Sequence, residues 1–89
     1  MVRVYVRHQV SDYRAWRDTY DDFTPTAASM GRTGEAVYRA LDDANGLTVS
    51  QDFETREAAE AFVGSDELRA AMGRAGVVGE PTIWLVTEA

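Results

Sequence analysis

An alternation at the start of the chain constrains the fold more than any other feature. Between Val2 and Val10 every second residue is a valine, except that His8 stands where the fourth valine would be. The residues between them are Arg3, Tyr5, Arg7 and Gln9. Because side chains alternate across a strand, this pattern predicts a strand with one core-facing side, and it places the only histidine on that side. An imidazole, which titrates near neutrality, would then lie where water is scarce, a setting suited to acid–base chemistry.

A helical region is predicted to follow the first strand. Ser11 is interpreted as the N-cap of a helix that begins at Asp12. Aromatic residues at spacings of three and four then indicate one helical face, and they are Tyr13, Trp16, Tyr20 and Phe23. Thr24-Pro25 is interpreted as a new N-cap and first-turn pair. The prediction is therefore a break, followed by a short segment to Met30.

Two strands, a helical pair and a last strand complete the predicted order. Strands are predicted over 33–41 and 47–54, joined by a turn at 42–46 that contains Asn-Gly. Thr55 is predicted to cap a helix through Val63, with a break at Gly64-Ser65 and a last helix up to Gly76. The final strand is predicted over 82–87, after Pro81.

The element order β-α-β-β-α-β predicts an α+β fold, the ferredoxin-like plait. In this plait a four-stranded antiparallel sheet carries helices on one face, and the first and third strands are central neighbours. That pairing would bring His8 near Gln51 or Phe53. The 89 residues are predicted to form a single domain, 1–89.

Composition narrows the possible functions. The chain has no cysteine and no lysine, which excludes thiolate chemistry and Schiff-base catalysis through a lysine amine. The net charge of −6 disfavours nucleic acid as a partner. No apolar run is long enough for a membrane span and no signal peptide is evident, so a cytoplasmic protein without a membrane partner is expected.

The helix-free face of the predicted sheet carries more aromatic surface than a solvated face normally does. Tyr5, Tyr38 and Trp84 are expected there beside arginines and Asp52. A second copy packed sheet to sheet would cover them, and Arg3 or Arg7 could then pair with Asp52. We therefore expect a homodimer through the face that contains Tyr5, Arg7, Tyr38 and Asp52. A monomer with a polar, aromatic-dotted face is the alternative.

The sequence resembles the dimeric α/β-barrel superfamily, which includes antibiotic biosynthesis monooxygenases and small polyketide cyclases. It is most similar to short actinobacterial and archaeal members labelled "cyclase". The resemblance covers nearly the whole chain. It rests on Val4-Tyr5-Val6-Arg7-His8, Asp12-Tyr13…Trp16, Tyr38-Arg39…Asp42-Asp43…Asn45, Leu68-Arg69-Ala70-Ala71-Met72…Ala75-Gly76-Val77 and Pro81-Thr82-Ile83.

The resemblance implies a homodimer whose two sheets close into a barrel, with a pocket between each sheet and its helices. Such pockets bind hydrophobic, often aromatic molecules, and many members work without metal, flavin or nicotinamide. By position, His8 would correspond to the strand histidine that cyclases use as acid or base, and Trp16 and Tyr20 to aromatic pocket walls. The cofactor-free monooxygenases also use a pocket asparagine, whereas Asn45, the only asparagine here, lies in the predicted turn.

Each candidate site residue also has a purely structural interpretation. His8 is either a general base, kept neutral by burial, or a half-buried histidine bonded to backbone. The aromatic stripe is either plain core or a pocket wall, with Tyr20 as a candidate second proton carrier. Gln51, expected among apolar side chains, needs a partner such as His8, a water or a ligand. The predicted substrate-binding residues are Trp16, Tyr13, Gln51, Phe53, Phe62 and Met72.

Cofactors are not expected from the sequence. The acidic pairs Asp21-Asp22 and Asp42-Asp43 do not predict converging ligands, so no metal site is predicted. A haem with His8 as axial ligand stays open as an alternative.

The predicted function is a small-molecule-binding homodimer. In its sharpest form it is a cofactor-independent cyclase, in which His8 removes a proton next to a carbonyl and Tyr20 or Gln51 stabilises the enolate. The alternatives are a cofactor-free monooxygenase of aromatic substrates and a non-catalytic ligand-binding or stress-related dimer.

Overall fold

The computed structural model describes residues 1–89 as one antiparallel sheet covered on one face by helices. The elements in chain order are β1 (Val2–Val10), α1 (Tyr13–Ser29), β2 (Arg32–Ala40), β3 (Asp43–Phe53), α2 (Arg56–Val63), α3 (Asp66–Arg74) and β4 (Val77–Thr87). The strand order is β2-β3-β1-β4, and each neighbouring pair is antiparallel. The predicted ferredoxin-like plait, with β1 and β3 as central neighbours, is therefore confirmed.

The register of β1 against β3 decides which side chains share the covered face. His8 lies opposite Leu47, and Val2 lies opposite Phe53. The prediction that His8 would neighbour Phe53 is therefore wrong, because these residues occupy opposite ends of the strand pair. Gln51 lies opposite Val4 of β1. Val4, Val6 and His8 follow one another at every second position, so Gln51 is on the same face of the sheet as His8.

The covered face is filled by two apolar clusters. One cluster contains Val4, Val6, Ala27, Phe53, Ala59, Phe62 and Leu68. The other contains Val10, Trp16, Leu47, Val49 and Ala75. Full burial of each large apolar side chain stabilises a fold by about 1.5–3 kcal/mol, so these clusters fix the helices against the sheet.

The first helix begins one residue later than predicted. Asp12, not Ser11, is the N-cap, and its Oδ2 accepts a hydrogen bond from the Ala15 N–H at 3.0 Å. Ser11 is occupied elsewhere, since its N–H donates to the Gly76 carbonyl at 3.0 Å. At Gly76, φ is +79°, and an added Cβ would lie 2.7 Å from the Ser11 Oγ. Only glycine suits that junction.

The predicted helix break at Thr24-Pro25 is wrong, because α1 continues through Pro25 to Ser29. Pro25 lacks an N–H and leaves one carbonyl of the preceding turn without its helical donor. Its side chain is exposed, so water can reach this part of the helix. On either side of it, buried Trp16 and Ala27 hold the helix on the sheet. Tertiary packing therefore outweighs the local signal.

Two strands begin earlier than the sequence predicts. The loop between β2 and β3 is only Leu41-Asp42, and segment 43–46, predicted as turn, belongs to β3 with an irregular register at Arg39/Ala40. β4 starts at Val77 and runs through Pro81. It tolerates proline because it is an edge strand, with a register shift opposite Arg7/Gln9.

Replacing Pro25 with alanine should stabilise the protein by about 1–3 kcal/mol, since alanine restores a helical N–H at an exposed site. Urea unfolding followed by circular dichroism measures the change. Thr24→Ala is the matched control, because it alters the same exposed turn without adding a donor, and it should change stability by less than about 0.5 kcal/mol. Equal stability of Pro25→Ala and wild type would contradict this account of the helix.

Candidate functional site

A small pocket lies between the sheet and helices α1 and α3. It is lined by Val6, His8, Trp16, Thr19, Tyr20, Phe23, Val49, Gln51, Leu68, Ala71, Met72 and Ala75. Nine of these twelve residues are hydrophobic, and the cavity volume is about 40 Å³. His8, Thr19 and Gln51 are the three exceptions in an apolar wall, and the Thr19 hydroxyl donates to the Ala15 carbonyl of its own helix.

His8 is buried without a hydrogen-bond partner. The residue is 8% exposed, and neither Nδ1 nor Nε2 is bonded to any protein group. Desolvation by burial lowers the pKa of its imidazole, so the neutral form is favoured near pH 7. The structural interpretation, a histidine bonded to backbone, does not describe this ring. Both nitrogens remain free for a bound molecule.

An aromatic stack from α1 forms one wall beside the imidazole. The ring of Trp16 is 3% exposed, meets His8 edge-on at 5.8 Å and stacks on Tyr20 at 4.8 Å between centroids. Tyr13 stacks behind Trp16 at 6.1 Å and does not line the pocket itself. Its N–H donates to the Asn45 Oδ1 at 3.0 Å, so the only asparagine is bound to the helix start. Asn45 does not line the pocket.

Gln51 and Tyr20 belong to a hydrogen-bonded chain that crosses from β3 to α1. Nη1 of Arg32 donates to the Gln51 Oε1 at 3.0 Å and lies 3.5 Å from the Tyr20 hydroxyl. That hydroxyl donates to Glu35. Burial, followed by the bond to Glu35, raises the pKa of Tyr20. The hydroxyl keeps its proton and uses it in the hydrogen bond to the Glu35 carboxylate. This arrangement weakens the prediction that Tyr20 carries a proton to or from a substrate.

Not all predicted site residues meet at the pocket. His8, Trp16, Tyr20, Gln51 and Met72 line it together. Phe53 and Phe62 do not; their rings pack 5.0 Å apart in the first apolar cluster, at the other end of the sheet from His8. They are fully buried core residues, and the strand register that separates them from the pocket cannot be read from the sequence.

Of the α3 wall the sequence predicted only Met72, and it did not predict Leu68, Ala71, Ala75 or the role of Arg32. Leu68, Ala71, Met72 and Ala75 recur at spacings of three and four, a signal that could have placed all four on one pocket-facing stripe. Arg32 carried no such signal, because its partners lie on other elements.

The space beside His8 does not fit a haem. A cavity of about 40 Å³ exceeds the roughly 10–15 Å³ needed for one water but is far smaller than a porphyrin. In addition, His, Cys, Asp and Glu side chains nowhere gather in groups of three or more that could hold a metal ion.

The opposite face of the sheet is bare and partly aromatic. Tyr38 is 57% and Trp84 40% exposed, and Tyr5 stacks on Trp84 at 5.4 Å. Arg3 pairs with Asp52 within the chain, with an Nε–Oδ1 distance of 2.7 Å. Asp52 therefore already has an arginine partner, and Arg7 forms no ion pair.

Among known proteins, this chain is similar to solved structures. No protein-family model and no curated protein sequence match the chain. It is similar to SnoaB, a cofactor-independent oxygenase from Streptomyces nogalater, with a TM-score of 0.76 and 12% identity over 99% of this chain and 94% of that one. A conserved protein from Methanosarcina mazei Go1 matches with a TM-score of 0.79 and 15% identity, over 99% of this chain and 92% of that one. An antibiotic biosynthesis monooxygenase matches with a TM-score of 0.76 and 10% identity, over 100% of this chain and 99% of that one.

This chain has the antibiotic biosynthesis monooxygenase fold. The resemblance inferred from the sequence is thereby confirmed for the architecture, and identities of 10–15% carry it no further. No helix in this version of the fold is both long and apolar enough to cross a membrane.

The free energy of unfolding should fall below pH 6.5 because of His8. Its folded-state pKa lies below the ordinary 6.5, so the unfolded chain binds more protons as the pH drops. The contribution is fully present above pH 6.5 and is lost on acidification, at no more than about 1.4 kcal/mol per pH unit.

Urea unfolding of wild type and His8→Gln at pH 7.5, 6.5 and 5.5 isolates this term, since glutamine does not titrate. The free energy of unfolding of wild type should fall relative to that of His8→Gln at the lowest pH. Because the chain has one histidine, NMR titration of its single imidazole gives the pKa directly. A value at or above 6.5 would contradict the buried, unpartnered ring.

Proposed function

We propose that this protein binds a small hydrophobic carbonyl compound in the pocket and catalyses cofactor-independent proton transfer, of the type used in aldol or cyclising condensations. One observation carries the proposal. The only histidine is buried in an apolar pocket with both ring nitrogens unpaired. Leaving buried polar groups unsatisfied costs about 1–3 kcal/mol each, and a bound molecule would remove that cost.

His8 acts as the general base in this mechanism. The neutral ring favoured by its lowered pKa has one nitrogen with a lone pair. That nitrogen takes a proton from the carbon next to the substrate carbonyl. The electron pair of the C–H bond forms a C=C bond, and the π pair of the carbonyl moves to its oxygen, which gives an enolate. The imidazolium later returns the proton to carbon or to the product oxygen.

The substrate oxygen binds at Gln51 rather than at Tyr20. The Tyr20 proton is donated to Glu35, whereas the Gln51 Oε1 is the acceptor for Arg32 and its Nε2 remains a donor. A fixed N–H donor stabilises negative charge as it develops on oxygen.

The pocket widens when the ligand enters. About 150 Å³ accommodates benzene in a dry cavity, several times the volume present here. The half-buried Met72 is the wall best able to move, because its unbranched thioether has three rotatable bonds.

The functional unit is proposed to be a homodimer joined through the bare sheet face. Its support is the exposed aromatic surface of Tyr38 and Trp84, flanked by the unpaired Arg7. The second copy covers these rings, and the pocket on the helix side stays accessible.

Replacing Trp84 with glutamate should convert this dimer to monomer, because a carboxylate would be buried in an apolar contact of a chain that already carries a charge of −6. Sedimentation equilibrium measures the mass. Ala70→Glu, which adds the same charge at an exposed position of α3 on the helix-covered side, is the matched control and should stay dimeric. A monomeric wild type would overturn the proposed assembly.

General-base activity can be tested without knowing the natural substrate. Incubated with 2-indanone in D₂O, the wild type should accelerate exchange of the hydrogens next to the carbonyl, followed by NMR. His8→Ala should lose about 10²–10⁴-fold of that acceleration and keep affinity within a few-fold. His8→Gln, which keeps a polar group but provides no base, should lose it equally.

The other two functions give different results in the same experiment. A sequestering protein binds 2-indanone without accelerating exchange, in wild type and His8→Ala alike. An oxygenase, suggested by the similarity to the cofactor-independent oxygenase SnoaB, consumes O₂ with an electron-rich phenol. The position of Asn45 outside the pocket weighs against that chemistry.

A further inference from the structure

We infer that Arg32 is a positioning residue that makes the pocket selective for ligands with a hydrogen-bond acceptor, by holding the Gln51 amide with its N–H₂ group as the only free end. This inference rests on the proposed pocket and adds to it the polarity of the group that the ligand must carry. Arg32 does not line the pocket. It acts through Gln51.

The direction of each hydrogen bond follows from the chemistry of its ends. A guanidinium only donates, so the Gln51 atom at 3.0 Å from Arg32 must be the carbonyl oxygen. At the other end a carboxylate only accepts, so the Tyr20 hydroxyl must donate to Glu35. If the direction of these hydrogen bonds between Glu35 and Gln51 were reversed, at least one group would lose its partner.

Burial makes this polarity matter to a ligand. Gln51 is 4% exposed and stands among apolar side chains of the pocket wall. Without Arg32, the amide could turn and present either its oxygen or its nitrogen. With Arg32, only Nε2 is available, and it pairs with a carbonyl or an enolate oxygen but not with a hydroxyl or amine proton.

The charge environment supports a positioning role. Four arginines form ion pairs, namely Arg3, Arg17, Arg56 and Arg69. Arg32 instead donates to the neutral oxygens of Gln51 and Tyr20, and its guanidinium carbon lies 5.6 Å from the centre of the Tyr20 ring. An arginine that binds neutral acceptors beside a pocket orients them, whereas it would add little as an isolated surface charge.

The test compares 2-indanone with indane, which has the same ring frame without the carbonyl. Kd values for both are measured from the NMR signal of the single imidazole. Arg32→Met should lower the affinity for 2-indanone relative to indane by about 3- to 10-fold, the effect of one neutral hydrogen bond. Indane affinity itself should stay unchanged. Arg32→Lys, another donor-only cation, should restore the ratio.

Further variants separate positioning from general stability. Arg17→Met removes the other guanidinium near Tyr20, 5.3 Å from its ring centre, without touching Gln51, and should leave the ratio unchanged. In a Gln51→Leu background, Arg32→Met should have no effect on the ratio, because the amide through which it acts is gone. If Arg32→Met does not fold, Arg32→Gln serves, since an amide at this position can donate or accept and no longer imposes a direction.

The carbonyl stretch of bound 2-indanone gives a second readout that a merely structural role would not move. Its infrared frequency should be lower in wild type than in Arg32→Met or Gln51→Leu. An unchanged affinity ratio in Arg32→Met, or the same loss in the Gln51→Leu background, overturns the inference while the pocket stands. Failure of both indane and 2-indanone to perturb the imidazole overturns the proposed function together with it.

Discussion

The hydrogen-bonded position of β1 between β3 and β4 is the constraint on which the rest of the structure depends. Two antiparallel neighbours fix its register, and a slip by one residue would turn every valine outward. The ladder that buries Val4 and Val6 therefore also buries His8. His8 has no partner in β4, where the register shifts between Arg7 and Gln9, but its pairing with Leu47 of β3 keeps the imidazole on the covered face. The fold therefore holds an unpaired base in an apolar site.

The polar groups of the pocket divide into two kinds with opposite roles. His8 has no protein partner and can accept a proton. Gln51 is fixed by Arg32, and Tyr20 by Glu35. A site built this way is organised before any ligand arrives, because the free energy of orienting the amide is already included in folding. In the proposed function, acid–base chemistry and oxygen recognition therefore belong to different strands.

The fold could be predicted from the sequence because its signals are local. The alternation of β1 and the Thr55 cap act within a few residues, and the structure agrees with them. The errors occur where distant packing or strand position outweighs a local signal, as at Pro25 inside α1 and Pro81 on an edge strand. The burial of His8 was predictable. The bond between Arg32 and Gln51 was not, since it depends on the register of β2 against β3, which no periodicity encodes.

The small volume of the pocket is consistent with a binding role once the stiffness of its walls is compared. The α1 wall is a stack of three rings, and Arg39 lies over Tyr13 with its guanidinium carbon 4.2 Å from the ring centre. Moving that wall would break several aromatic contacts together. The α3 wall contributes Met72 from a helix of only nine residues. A methionine can change rotamer at little cost, so the proposed ligand would enter by displacing the α3 side and would then lie against the rigid tryptophan, next to the imidazole.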